Sequence, residues 1–183
     1  MLGLDDQHMM KSITWRIIAP IVIVLFLFIW LQASFQSFVV EGVSMEPGLE
    51  GGQVILINKA AYWFGSPQRG DIIVFRAPQD PDRVFVKRVI GLPGEEVEIE
   101  NGTVYIDGKP LPEPDFIIED HSDYGPVNVT SGHYFVLGDN RDRSSDSRDG
   151  WTVPEGDIIG KAWLSVWPLS DWGLAPNYAL EVE

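Results

Sequence analysis

The stretch EVEIENGTVYIDG, residues 96 to 108, alternates apolar and polar side chains on both sides of Asn101-Gly102. Alternation with a period of two is typical of a strand that buries one face. Asn-Gly favours a type I′ turn, because both central residues of that turn need positive φ. The stretch therefore predicts a β-hairpin, with 96–100 paired to 103–108, and an antiparallel sheet around it. Asp107-Gly108 predicts a second turn.

Short apolar segments divided by glycine and proline surround this hairpin. Their β-branched and aromatic residues favour strands. No helical pattern of about ten residues separates them, which argues against parallel βαβ units. We therefore predict a mostly antiparallel β domain over 39–183, with a surface loop at 112–126. The other predicted strands are 53–59, 71–77, 83–91, 133–139 and 157–167.

An uncharged segment, residues 17 to 40, precedes this domain. About 20 residues of helix cross the hydrocarbon layer of a membrane, and polar residues accumulate towards the end of the segment. We therefore predict a transmembrane helical anchor at 17–38. A cleaved signal peptide is the alternative. However, the apolar region of a typical signal peptide has only roughly 7–15 residues and is followed by a small-x-small cleavage site, and no clear site of this kind promptly follows the longer segment of this chain.

The charges beside the anchor predict its orientation. Lys11 and Arg16 precede it, and the next basic residue is Lys59. The positive-inside rule then places a short N-terminus, 1–16, in the cytoplasm and exports the β domain. The whole chain has 13 basic and 27 acidic residues, a balance that disfavours nucleic acid as a partner. Cysteine is absent, which excludes disulfides and cysteine nucleophiles.

Ser44 is a candidate nucleophile because it lies in EGVSMEPGLEGG, a turn-rich stretch directly after the anchor. A serine nucleophile needs a group that accepts its proton. His8 precedes the anchor, His121 lies in the acidic loop, and His133 begins a strand without a distinctive setting. A Ser-His-Asp triad is therefore poorly supported.

Lys87 is the alternative base. Strand alternation in RVFVKRVIG places it on the same face as Phe85 and Val89. If that face is buried, desolvation lowers the lysine pKa and provides a neutral amine near neutral pH. The pattern also allows the lysine to reach water along an apolar strand, and the neighbouring Arg88 alternates with apolar residues in the same way.

The third polar stretch is GDNRDRSSDSRDG, residues 138 to 150. Its aspartates at 139, 142 and 146 could indicate calcium, but an EF-hand-like loop would need glycine where Ser147 stands. Interleaved arginines favour a loop held by ion pairs instead. We predict no metal site.

Four blocks in this order resemble type I signal peptidases, the membrane-anchored serine proteases that remove signal peptides from exported proteins. The blocks are SMEPGL from Ser44, RGDIIVF at 69–75, VKRVIGLPGE at 86–95 and GDNRDRSSDSR at 138–148. The resemblance implies an exported catalytic domain of coiled antiparallel sheets after one N-terminal transmembrane helix. It also implies a reaction without metal or other cofactor.

The resemblance assigns a role to each matching residue. It makes Ser44 the nucleophile, Lys87 the general base, and Ser144 the serine whose hydroxyl orients the lysine amine. The residues that it implies in bracing the last loop are Asp142, Asp146 and Arg148.

The implied activity is cleavage of exported preproteins after small-x-small residues, at the outer face of the bacterial cytoplasmic membrane. The implied partners are signal peptides and the lipid bilayer, close to the secretion channel. One alternative is a membrane-anchored β domain that binds peptides without cutting them. Another is a self-cleaving repressor-type Ser-Lys protease, although such proteins normally carry a DNA-binding domain in place of an anchor.

Four residues depart from the family's common pattern. Gly48 replaces a common threonine, Gln53 a usual aspartate, and Arg143 a frequent asparagine. Gly42 is a serine in some members, where its hydroxyl helps to bind the oxyanion. Here we expect the oxyanion hole to consist chiefly of backbone N–H groups, including that of Ser44.

Overall fold

The computed structural model describes residues 4–118 and 120–181, and side chains from residue 15 onward. The chain divides into two compact units, Met1–Phe35 and Gln36–Glu183. Residues 1–3 of the predicted cytoplasmic segment, and the side chains of His8 and Lys11, lie outside the described residues.

The first unit is one helix, α1 (Leu4–Ser34). Its part Trp15–Ser34 has the length and apolar composition needed to cross a membrane. The helix ends where the Ser34 hydroxyl donates to the Trp30 carbonyl oxygen at 2.7 Å. Residues 35–38 of the predicted anchor belong to a strand and not to this helix, because their backbone pairs within a sheet. The bounds 17–38 of the membrane anchor stay a prediction.

The second unit consists mainly of antiparallel strands, and all seven predicted strands are present. The strands are β1 (Phe35–Val39), β2 (Val54–Asn58), β3 (Ile72–Ala77), β4 (Asp80–Gly91), β5 (Glu96–Glu100), β6 (Thr103–Ile106), β7 (Lys109–Pro110), β8 (Tyr124–Asn128), β9 (His133–Leu137), β10 (Val153–Pro154), β11 (Ile158–Trp167) and β12 (Gly173–Leu174). The seven that were predicted are β2, β3, β4, β5, β6, β9 and β11.

The strands form two sheets. The larger has the order β1-β2-β11-β3-β4-β9-β10, with β12 beside β11, and the smaller has the order β7-β6-β5-β8. The predicted fold class, mostly β with antiparallel pairing after one N-terminal helix, is confirmed. In the larger sheet β4 lies between β3 and β9, and its register on β3 pairs Lys87 with Ile73 and Arg88 with Ile72.

The predicted hairpin is confirmed as β5 and β6. Asn101 and Gly102 have φ of 48° and 82°, as both central residues of a type I′ turn require. The second strand ends at Ile106, directly before the predicted turn at Asp107-Gly108, so the predicted strand 103–108 is two residues too long. Asp107 and Gly108 also have positive φ, 51° and 75°, and turn the chain into β7.

The prediction of a loop over residues 112–126 is wrong at its end, because β8 begins at Tyr124 and pairs with β5. Gly125 and Pro126 hid this strand in the sequence, since both residues are depleted in strands. The structure accommodates them because β8 is an edge strand of the smaller sheet, where a missing N–H donor is tolerated.

Three groups of buried apolar side chains form the core of this unit. One of them places Met45 and Leu49 against Ile55, Ile57 and Val86. This group therefore lies directly beneath the turn that carries residue 44 and beside the strand that carries residue 87.

Candidate active site

Ser44 lies in a short turn that buried neighbours hold in place. Met45 and Leu49 are each 1% exposed, and the Leu49 N–H donates to the Met45 carbonyl oxygen at 2.8 Å. The Asn140 N–H donates to the carbonyl oxygen of Ser44 itself at 3.1 Å. The turn is thus tied to the core below it and to the loop at 138–150.

The side chain of Lys87 ends at Ser44. Its Nζ lies 2.6 Å from Ser44 Oγ and donates to the Val86 carbonyl oxygen at 3.0 Å. The Phe85 ring, on the same face of β4, has its centroid 5.5 Å from Nζ. Lys87 is only 4% exposed, so the alternative in which it reaches water is excluded.

Burial gives this lysine an unusual basicity. Desolvation lowers the pKa of Lys87 from 10.5 to about 8, although the negative charges of Asp146 and Asp139 oppose the shift. A measurable fraction of the amine is therefore neutral near physiological pH. In that form Nζ accepts a hydrogen bond from the Ser44 hydroxyl, which is the arrangement needed for proton transfer.

Ser144 lies close to this pair but does not bond to it. Its Oγ is buried and has no hydrogen-bond partner among residues 4–118 and 120–181. A Cβ at Gly138 would overlap both Ser144 Oγ and the Ser44 carbonyl oxygen, so glycine at 138 lets the two serine segments approach. The hydrogen bond from Lys87 to Ser144 that the resemblance implies is not made in this structure, and the orienting role stays a prediction.

Two of the three predicted bracing residues are joined by ion pairs. Asp146 is fully buried and accepts from Arg148 Nε at 2.8 Å and from the Gly138 N–H at 3.1 Å. Arg148 also pairs with Asp120 at 2.5 Å. Asp142, in contrast, is exposed, and its side chain makes no hydrogen bond or ion pair in the described part of the chain.

A buried ion pair next to the site was not predicted from the sequence. Arg88 and Asp139 are each 1% exposed, and their bidentate contact has distances of 2.8 and 2.6 Å. The Arg88 guanidinium also donates to the carbonyl oxygens of Gly70 and Pro176, and lies over the Tyr178 ring at 4.1 Å. Alternation with apolar residues indicated that Arg88 could be buried, but no local pattern identified Asp139 as its partner.

Ser44 and Lys87 line a cleft of about 660 Å³. One wall is the stretch 82–86 of β4, whose pairing with β9 begins only at Arg88. The edge of β4 opposite β3 is therefore free of that ladder along the cleft. The other lining residues are Phe38, Glu41, Gly42, Val43, Arg143 and Ser145.

The two histidines whose side chains the structure describes do not contribute to this cleft. His121 is exposed, the His133 ring lies 3.2 Å from the Ser131 carbonyl oxygen, and neither lines the cleft. Among the described residues, no group of three or more histidine, aspartate or glutamate side chains could hold a metal ion.

The departures from the family pattern have local explanations. A Cβ at Gly48 would overlap Asp139 Oδ2, so the glycine makes room for the buried ion pair. Gln53 donates through Nε2 to Asp171 at 2.8 Å. Gly42 has φ of 77°, a conformation that favours glycine. Arg143 is exposed and lines the cleft.

Comparison with known proteins gives consistent matches over most of the chain. A family model described as "Signal peptidase, peptidase S26" matches residues 12–167. The probable signal peptidase I-1 of Synechocystis sp. is 39% identical over 171 residues, which are 87% of each chain. Signal peptidase I U of Bacillus subtilis is 38% identical over 181 residues, 93% of this chain and 95% of that protein. A crystal structure of a signal peptidase I from Enterococcus faecalis aligns with a TM-score of 0.45 and 36% identity, covering 52% of this chain and 96% of that one.

Proposed function

The chain belongs to the signal peptidase family, peptidase S26, and on that basis we propose that it cleaves signal peptides with Ser44 as nucleophile and Lys87 as general base. The observation that carries the proposal is the 2.6 Å contact between Lys87 Nζ and Ser44 Oγ at the wall of an open cleft. The family is one of serine endopeptidases; the dyad is our assignment of its chemistry to these two residues.

The first step is acylation. Neutral Lys87 accepts the proton of the Ser44 hydroxyl while Oγ attacks the carbonyl carbon of the scissile peptide bond. The resulting oxyanion needs hydrogen-bond donors. The Ser44 N–H donates to no acceptor among the described residues, so it is available for this purpose, whereas Gly42 offers no side-chain donor.

The second step releases the mature protein, and the third frees the enzyme. The Lys87 ammonium gives its proton to the departing amine, the C–N bond breaks, and an ester of Ser44 remains. Neutral Lys87 then removes a proton from water, which attacks the ester. The signal peptide leaves with a new carboxylate, and Ser44 recovers its hydroxyl proton from Lys87.

The substrate is held as an added strand in this proposal. The free edge of β4 at 82–86 offers backbone N–H and C=O groups to an extended peptide, as in β-augmentation. Alternate side chains of a strand point the same way, so residues −1 and −3 of the substrate face the enzyme together. Close approach of the peptide to the wall formed by Val86 and Val43 then favours small side chains at these two positions.

The loop at 138–148 holds the dyad in place in this proposal. Asp146 and Arg148 fix the loop against Gly138, and through Asn140 the loop holds the Ser44 carbonyl. The buried Ser144 hydroxyl has no hydrogen-bond partner among the described residues. We assign it to orienting the lysine amine once the amine leaves Ser44. We assign no direct bracing contact to Asp142.

We propose that α1 anchors the protein in the bacterial cytoplasmic membrane, since its part Trp15–Ser34 is long and apolar enough to cross one. Basic residues occur before the apolar span and not directly after it, which favours a cytoplasmic N-terminus and a catalytic domain on the outer face. An enzyme confined to the bilayer meets a membrane-held signal peptide at high effective concentration. The lipid bilayer and the vicinity of the secretion channel are therefore its proposed surroundings.

In the aromatic stretch 62–64, the first side chain is held by the fold and the other two are exposed. The Tyr62 hydroxyl donates to Asp71 at 2.9 Å, so this ring belongs to the fold. Trp63 and Phe64 are 49% and 99% exposed. We assign these two residues, without Tyr62, to contact with the bilayer interface.

The test is incubation of the full chain in detergent with a secretory precursor that carries alanine at −1 and −3. Cleavage at that bond, lost in Ser44→Ala and blocked by leucine at −1, supports the proposal. Binding of the precursor without cleavage would identify a peptide-binding β domain instead. Cleavage restricted to the enzyme itself would identify a self-processing protease.

A further inference from the structure

The arginines of the second unit fall into two sets. Four of the seven take part in ion pairs with carboxylates: Arg69, Arg88, Arg141 and Arg148. The other three are exposed and form no ion pair with any described residue: Arg76, Arg83 and Arg143. Two of these three, Arg83 and Arg143, line the cleft that contains Ser44.

This distribution is unexpected for so acidic a domain. Two of the 27 acidic residues and two of the 13 basic ones precede residue 36, which leaves 25 and 11 in the second unit. Carboxylates are therefore abundant, yet the two guanidinium groups at the cleft form no ion pair within the described part of the chain. Glu41 and Asp82 line the same cleft without forming an ion pair to either arginine.

Arg143 stands out within its own loop. Arg141 on one side pairs with Glu113, and Arg148 on the other pairs with Asp120 and Asp146. The Arg143 side chain makes no ion pair with the residues that the structure describes, and it occupies the position where an asparagine is frequent. A bracing role accounts for its neighbours but not for Arg143.

Arg83 has a defined position on the other wall. Its guanidinium lies over the Phe85 ring at 5.1 Å from the centroid, a stacking that orients the group without neutralising it. Phe85 is also the residue beside Lys87 Nζ. An oriented and unpaired guanidinium thus lies on the strand that we propose as the substrate's partner.

We propose that Arg143 and Arg83 form a specificity site for a carboxylate side chain of the substrate close to the scissile bond. This inference rests on the proposed function. Guanidinium groups bind carboxylates through charge-assisted hydrogen bonds, and the partly enclosed cleft screens such a contact less than open solvent does. The acidic surplus elsewhere on the domain repels an acidic peptide, so these arginines also make the cleft the favoured place for it.

The acidic residue occupies a position other than −1 and −3. Those two side chains must be small, and they face the wall beside Ser44. Strand alternation turns −2 away from that wall, and the first residues after the cut lie beyond Ser44. The proposed site therefore selects substrates that carry aspartate or glutamate at −2, +1, +2 or +3.

The experiment uses the full chain in detergent and peptides with alanine at −1 and −3. Each peptide carries aspartate at one of the four positions, and each has an asparagine partner. The measured quantity is the ratio of kcat/KM between the two. We expect the wild type to prefer aspartate about five-fold at one or more positions, as for an exposed ion pair of up to ~1 kcal/mol.

The variants test which residues cause the preference. Arg143→Asn and Arg83→Gln should each reduce the ratio, and the double variant should bring it close to one. Arg76→Gln is the matched control, since Arg76 is also exposed and unpaired but does not line the cleft. Arg143→Glu should instead favour lysine peptides over their glutamine partners.

Two results would overturn the inference while leaving the proposed function intact. The first is cleavage of the asparagine peptides with no preference for aspartate at any position. The second is an equal loss of preference in Arg76→Gln, which would indicate a general charge effect. A wild type that cleaves none of the peptides would refute the proposed function together with the inference.

Discussion

Replacement of Asp139 by asparagine removes one charge of the buried pair with Arg88 and preserves the shape of the side chain. Both partners are 1% exposed, so the remaining guanidinium would be left charged and largely without water. Loss of one partner of a buried pair costs about 3–5 kcal/mol. Arg88 keeps its contacts with Gly70, Pro176 and Tyr178. We therefore expect the free energy of unfolding to fall by about 3 kcal/mol, the lower end of that range.

Urea unfolding of the full chain in detergent, followed by tryptophan fluorescence, measures this change. Glu95→Gln is the control, because the Arg69–Glu95 pair is more open, with side chains 9% and 21% exposed. A partly exposed pair should contribute about 1 kcal/mol. Equal losses in Asp139→Asn and Glu95→Gln, at unchanged slope in urea, would refute the reasoning that burial determines the cost.

Two further variants, one single and one double, test local packing and membrane contact. Gly48→Thr should lower the free energy of unfolding by about 2 kcal/mol, because the new Cβ overlaps Asp139. Urea unfolding measures this change. Gly156→Ala is the neutral control, because a Cβ at that position meets no atom within 4 Å. Trp63→Ser together with Phe64→Ser should weaken the binding of a chain lacking α1 to lipid vesicles, measured by co-sedimentation; unchanged binding by the folded variant would contradict the assigned interface contact.

The sequence predicted those parts of the fold whose pattern is local. Alternation and an Asn-Gly turn were sufficient to predict the hairpin of β5 and β6. The apolar-rich strand β4, which carries Lys87, and its neighbour β3 were equally clear from the sequence. Strand β8 was missed because Gly125 and Pro126 are poor strand formers. Only its position at the edge of a sheet, a tertiary fact, makes these residues acceptable.

The candidate site shows the same division. Alternation placed Lys87 on an apolar face with Phe85, but it did not determine whether the amine was buried or reached water. The contact with Ser44, 43 residues away along the chain, depends on the fold, and only the resemblance pointed to it beforehand. The partners of Arg88 lie in three separate segments, so no spacing rule could have found them.

At two residues the resemblance implies contacts that the structure does not contain. Ser144 and Asp142 both match the family pattern, yet the lysine amine bonds to Ser44 and Val86 and not to Ser144. Asp142 faces solvent. A matching motif gives residue type and order, whereas a hydrogen bond also requires a side-chain rotamer and a distance of about 3 Å.

The dyad makes a direct prediction about pH. Lys87 acts as a base only when its amine is neutral, and burial lowers its pKa to about 8. Below that value the amine is mostly protonated, so kcat/KM should fall about ten-fold for each pH unit. Above it the activity should reach a plateau, well before the ~10.4 of an unperturbed lysine.

The most direct test is the pH profile of kcat/KM for precursor cleavage between pH 6 and 10, measured for the wild type, Ser44→Ala and Lys87→Ala, with folding checked by circular dichroism. We predict a wild-type profile that rises through an apparent pKa near 8, and no cleavage by either folded variant. An active Lys87→Ala, or a wild-type profile that rises near the ~6.5 typical of histidine, would contradict the assignment of Lys87 as the base.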